Sequence, residues 1–201
     1  MTFKDALAVQ RWDDHRYYHH NRINQMLHLV SALSFIASYA LVFASPAAAV
    51  LTGWLVAMPT RQIGHFFFEP NGYDEANGAT HQHKEDIKVG YNLRRKVVLM
   101  SIWLLSPLLL VLNPTLFGML PAAATWTAFA NHVSIVWLVV GVGALAFRTV
   151  QLFFLQNVQT GLVWLVKILT DPFHDVMLYH RSPIYVWRGE LFDPIVTEPV
   201  R

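Results

Sequence analysis

The chain has 201 residues, 54% of them hydrophobic and 14% charged. This excludes an ordinary soluble domain, because positions 23–59 and 97–147 hold no charged residue and leave no polar face for amphipathic helices. The net charge of +2 sits beside apolar stretches, not along one stripe, so it gives no nucleic-acid surface, and the absence of Cys leaves imidazole, carboxylate and water as the available metal ligands.

The elements are expected to build an all-α, polytopic membrane helical bundle. Residues 1–22 are polar, charged and aromatic, unlike a cleavable signal peptide with its short apolar middle, so the first span is expected to be retained. A helix needs about 20 apolar residues to cross the hydrocarbon layer. Four stretches qualify as transmembrane helices: 26–43, 47–68, 97–117 and 132–155. Ser45-Pro46 breaks the first from the second, which makes them a hairpin. Pro107 is expected to kink the third span, and Asn113-Pro114 with Pro121 marks the turn before the fourth. The apolar stretch 156–169 is short and carries Lys167, so it reads as a continuation of the fourth helix or an interfacial segment. The tail from Thr170 is polar and aromatic and is expected to fold back under the bundle. No internal repeat divides the chain, which reads as a single integral membrane domain over 1–201.

Charge allocation gives the topology. All 15 Lys and Arg and all 13 Asp and Glu fall before the first span, between 61 and 96, or from Arg148 onward. Four crossings put every charged segment on one side, which the positive-inside rule makes cytoplasmic, with both termini there. Nine of the ten histidines, all but His132, fall on that side or close to it, within His-rich segments 12–28, 65–96 and 170–188. These form a polar cap.

Neutral imidazoles at i, i+4 on a helix face can share a metal. His20, Asn24 and His28 have that spacing, as do His15 and His19. His28 and His65 lie at membrane depth, where polar groups are costly and usually functional. Glu69, four residues after His65, is read as the carboxylate that orients it, with direct ligation the sharper alternative. His81 and His83 are two apart and point in different directions on a helix. In TDPFHDVMLYH, Pro172 after Asp171 resembles a helix start with Asp171 as N-cap, leaving His174 and His180 beneath the bundle.

Two motifs then carry a resemblance. YHHNRINQMLH supplies Tyr18, His19, Asn24 and His28 ahead of an apolar span, and QIGHFFFEPN supplies Gln62, Gly64, His65, Glu69 and Asn71 at the end of another. Over about residues 12–71 the chain resembles the membrane 2-hydroxy fatty acid dioxygenases of fatty-acid α-oxidation. The third and fourth spans lie outside the resemblance and read as an insertion. The resemblance implies an Fe(2+)-dependent dioxygenase that uses dioxygen to shorten a long-chain 2-hydroxy fatty acid by one carbon, at the lipid bilayer surface. On this reading His19, His28, His65 and His174 are the expected metal ligands and catalytic residues, with His81, His83 and His180 competing for a remaining place. Asn24 and Glu69 would support them. Arg148, near the cytoplasmic end of the fourth span, is the candidate for the substrate carboxylate, against a snorkelling anchor.

Other classes fit less well. HRYYHH looks like one box of the di-iron membrane desaturases and hydroxylases, but HQH and HDVMLYH lack the further spacing. Zinc would also accept His and carboxylate, in a membrane hydrolase. A transporter should carry polar groups through mid-membrane, and the spans hold no acidic residue there; a metal- or lipid-binding scaffold is the remaining non-enzymatic reading. The sequence leaves oligomeric state open and favours a bacterial inner membrane over the endoplasmic reticulum.

Overall fold

The computed structural model describes residues 1–69, 72–75 and 77–194. These are helical, with no strand among them and two isolated bridges, Asn21 to Phe192 and Asp74 to Ala79. Helix α1 spans Phe3–Tyr18 and α2 Arg22–Leu41. Between them Asn21 caps α2, its Oδ1 accepting from the amides of Ile23 and Asn24. His19 therefore ends one helix and His28 lies in the next, so the His15–His28 stretch is not one continuous stripe.

After Leu41, Ser45 and Pro46 start α3 (Pro46–Thr52), with the Ser45 hydroxyl accepting from Ala48 N. The rod continues through a π-helical turn at Gly53–Ala57, α4 (Met58–Ile63) and a second π-helical turn at Gly64–Phe68. Pro59 cannot donate to the Leu55 carbonyl, and the first wide turn covers that place. The rod returns along α2 as the expected hairpin. Gly64 makes the approach close: a Cβ there would collide with Asn24 Oδ1 and stand 3.4 Å from His28 Cδ2.

A short α5 (His81–Ile87) leads to α6 (Leu93–Leu105) and α7 (Leu108–Leu112), which are separated at Ser106-Pro107, where the kink was expected. Helix α8 runs over Trp126–Leu155. Among the described residues two helical stretches are long and apolar enough to cross a membrane, Leu93–Leu112 and Trp126–Leu155. No residue of α6 is buried, and Val98, Leu104, Val139 and Phe154 all face outward. The rod, α6 and α8 are joined by a tryptophan cluster. Trp54 Nε1 donates to Trp137 O at 3.0 Å, Trp137 Nε1 to Trp103 O at 3.0 Å, and the Trp54 and Trp103 rings stack 5.7 Å apart.

The part from residue 156 onward differs from the sequence expectation. Residues 156–169 neither continue α8 nor stop short: the chain breaks at Gln156, Asn157 caps a new helix by accepting from Thr160 N at 2.8 Å, and α9 runs over Val158–Tyr179. Pro172 sits inside α9, so Asp171 is not an N-cap. Its carboxylate instead takes Lys167 at 2.5 Å and Arg11 at 3.2 Å. The fold-back begins only after His180. Helix α10 (Ser182–Trp187) and the following strip return to the start of α2, where Ser182 Oγ donates to Gln25, Arg22 N to Leu191 O, and Arg22 pairs with Asp193 at 2.9 Å. Helix α9 packs on α1, α2 and α8, which brings its last turns over the junction between α1 and α2.

Candidate metal centre

Three imidazoles meet at that junction. His19 closes α1, His28 lies two turns into α2, and the second π-helical turn presents His65. All three are buried, at 1%, 0% and 7% exposure. Their ring centroids are 4.0 Å (His19–His28), 5.2 Å (His19–His65) and 4.9 Å (His28–His65) apart, and one nitrogen from each lies within 4.8 Å of the other two. Among the described residues this trio is the group of such side chains near enough to hold a metal ion.

Local sequence explains the convergence. The Asn24 side chain donates to Tyr18 O at 2.7 Å, tying α2 to the end of α1 beside His19. Its Oδ1 is buried, without a hydrogen-bond partner, against Gly64. Glu69 Oε2 lies 2.7 Å from His65 Nδ1, the arrangement expected for a carboxylate that fixes a ligating imidazole and leaves Nε2 free for a cation. Lys88 pairs with the other Glu69 oxygen at 3.4 Å.

Two further supports come from α9. The Tyr179 hydroxyl stands 3.3 Å from His19 Nδ1 and 3.2 Å from His15 Nδ1. Asp175 Oδ2 lies 3.7 Å from His28 Nδ1 and accepts from Arg61 at 3.2 Å. Burial, with the neighbouring His28 acting in the same direction, pushes the His19 imidazole well below its ordinary range and keeps it neutral. Burial, reinforced by the Asp175 charge, pushes the Tyr179 phenol well up, so it stays protonated and can donate.

The buried nitrogens test the fit to a cation. His19 Nε2 and both nitrogens of His28 have no hydrogen-bond partner. Orphaned polar atoms at such burial are costly, and a cation ligated by neutral imidazoles satisfies them. The residues fit a metal ion, and the donor set leaves its identity open between iron and zinc.

The other expected ligands are elsewhere. His174 is half-buried on α9, off the face that carries Asp171, Asp175 and Tyr179. His81 and His83 lie on α5, with His83 exposed, and His180 is exposed with Nδ1 at 2.9 Å from Met177 O. His20 lies near Asp74, at 4.0 Å, and His132 is buried in α8. None of these belongs to the trio. Arg148 is buried and directs its guanidinium to Val89 O, Gly90 O and Gln151 Oε1, stapling the loop before α6 to α8. Asn71 lies outside the described residues. The sequence reading assigned no role to Tyr179, Asp175 or Arg61, although Asp175 and Tyr179 stand at i, i+4 beside an Asp171 that shares their face.

Beside the centre a cavity of about 470 Å³ opens, within the ~300–1,000 Å³ typical of small-molecule sites. His65, Gln62, Arg61, Lys88 and Lys96 contribute to a polar part of its wall. Trp54, Val50, Leu138 and Val142 contribute to an apolar part.

No curated protein and no solved structure matches the chain. Residues 8–72, the segment that carries all three imidazoles together with Asn24 and Glu69, match the family model described as 2-hydroxy-palmitic acid dioxygenase Mpo1-like.

Proposed function

We propose that the chain is a membrane-embedded, iron(II)-dependent dioxygenase of long-chain 2-hydroxy fatty acids that shortens them by one carbon in α-oxidation. The observation that carries this reading is the buried trio His19, His28 and His65, with unpartnered nitrogens on His19 and His28, inside the segment that matches a 2-hydroxy-palmitic acid dioxygenase family. Three imidazoles without thiolate suit a non-haem iron site with open positions, and iron(II) held there would supply the redox chemistry toward dioxygen that these side chains lack.

The chain's own residues supply the rest. Glu69 at His65 and Tyr179 at His19 fix ring orientation. The apolar cavity wall takes an alkyl chain, whose burial is worth about 0.8 kcal/mol per CH₂, while the polar wall takes the carboxylate and hydroxyl. Closing that head group among buried side chains excludes bulk water, which strengthens each polar contact there.

A four-span arrangement in a bacterial inner membrane, with termini cytoplasmic, belongs to the same proposal. Its support is the outward apolar surface of α6 to α8 combined with a polar interior, the reverse of a soluble protein. Exposed Phe43, between α2 and α3, exposed Phe117, between α7 and α8, and exposed Trp126, at the start of α8, fit the far interface of such a bundle.

The test is metal analysis of anaerobically purified protein by mass spectrometry, combined with product analysis on a long-chain 2-hydroxy acid. About one iron per chain and an acid one carbon shorter are expected. Full activity in metal-free protein, or a product of unchanged chain length, would overturn the reading.

A further inference from the structure

Four cationic side chains line the cavity: Arg61, Lys88, Lys96 and Lys167. Three are already engaged. Arg61 donates to Asp175, Lys88 pairs with Glu69 and Glu85, and Lys167 pairs with Asp14 and Asp171. Lys96, on the first turn of α6, lies near Lys88 and Glu69 and has no hydrogen-bonded or ion-paired partner among the described residues. An amine on the cavity wall that makes no hydrogen bond or ion pair, beside cations that are all paired, is a site for an acid group brought by a ligand, to which it can pair as ammonium to carboxylate. The cavity beyond it is lined mainly by apolar side chains, and its volume of about 470 Å³ suits one alkyl chain with a small head group.

The geometry points to Lys96 as the carboxylate anchor of a single-chain fatty acid whose alkyl tail lies between the rod at Gly53–Ala57 and α8. Lys96, Gly141 and the rest of α6 and α8 lie outside the segment that matches the family, so this contact is not one the family match supplies. The walls come together at Gly141, where a Cβ would stand 3.4 Å from Trp54 Cζ2. A larger side chain there projects into the cavity and selects against long tails. The inference rests on the fatty-acid reading of the site, but it concerns binding alone and is tested without turnover.

The experiment uses full-length protein stripped of metal with a chelator. Binding of a hexadecanoic acid brominated on its chain is followed by quenching of tryptophan fluorescence, since Trp54, Trp137 and Trp164 line the cavity. Wild-type protein is expected to bind the acid about 10–100-fold more tightly than its methyl ester, the range for a hydrogen bond to a charged group. Lys96→Met should abolish that preference while binding the ester as wild type does, which also reports that it has folded. Lys96→Arg should restore it, and Gly141→Leu should weaken hexadecanoic acid more than a decanoic analogue. Equal wild-type affinity for acid and ester, or an undiminished preference in Lys96→Met, overturns the assignment. If acid binding behaves as expected while the metal-loaded protein forms no shortened product, the dioxygenase reading fails and the anchor stands.

Discussion

The segment before residue 70 and the segment after residue 72 contribute different things to one site. The first supplies the imidazoles of His19, His28 and His65 together with Glu69. The second supplies Tyr179 and Asp175, which stand against His19 and His28, and the α6 and α8 faces that wall the cavity. The candidate ligands cluster within the first 65 residues, whereas the Tyr179 hydroxyl beside His19 arrives from 160 residues away. A helical hairpin can thus carry the candidate metal ligands while a helix distant in sequence packs against them.

The largest effect that would break this comparison is loss of the metal itself. His28→Ala or His65→Ala removes one of three donors and leaves two imidazoles in a dry site, so iron retention through gel filtration should fall to background. His174→Ala and His132→Ala should keep it, as neither side chain joins the trio. Iron held by His28→Ala and lost from His174→Ala would move the centre to α9.

Next in size are the orienting groups. Tyr179→Phe removes the hydroxyl at His19 Nδ1, and Asp175→Asn removes the charge near His28 and breaks its pair with Arg61. Either should weaken metal affinity by about 10–100-fold, the usual cost of losing such support, without emptying the site at saturating metal. Chelator competition measures this. Unchanged affinity in both variants would mean that the first segment is self-sufficient.

These two classes differ in how far they were legible in the sequence. His19, His28 and His65 were readable because each sits in a short motif at the end of an apolar stretch. Asn24 and Glu69 were readable because i, i+4 spacing from a histidine suggests contact. Tyr179 was not, because its partners are set by the packing of α9 on α1, which no local spacing reveals. His174 was expected at the site because a returning tail would put it beneath the bundle, yet helix phase decides otherwise. Asp171, Asp175 and Tyr179 repeat every four residues and face inward, and His174 is rotated off that stripe. The Asp171-Pro172 pair imitated a helix start and hid the continuity of α9, whose true cap is Asn157. The break before α3 and the interruption at Pro107 were legible because proline removes a donor wherever it falls.

A packing change sharpens the comparison inside the first segment. Gly64→Ala places a methyl where Asn24 Oδ1 now lies, so Asn24 must leave its bond to Tyr18 O or the second π-helical turn must back away from α2. A loss of about 1–3 kcal/mol is expected, as for overpacking in a filled core. It should appear as a lower thermal midpoint with metal affinity reduced in parallel. A midpoint unchanged from wild type would mean that this contact is soft.

The smallest effect lies in the connection between the two segments. Glu85 Oε2 accepts from Leu93 N at 2.5 Å, satisfying an amide at the start of α6, and its other oxygen takes Lys88 at 3.4 Å. Burial raises the carboxyl, but that amide and the Lys88 charge outweigh it and hold Glu85 below the usual glutamate range. A depressed folded value means that the stabilising contribution is fully present above the unfolded value, about pH 4.3, and is lost as pH falls through the folded value. Glu85→Gln should therefore cost about 1 kcal/mol at neutral pH, as for loss of a charged cap. Thermal midpoints of the two proteins should converge as the buffer is taken below about pH 4. Amide exchange at Leu93 should quicken in the variant while that of α2 does not. A gap between the midpoints that stays constant through that acid range would show that the Glu85 charge contributes nothing, and that α6 is held against the first segment by the tryptophan cluster alone.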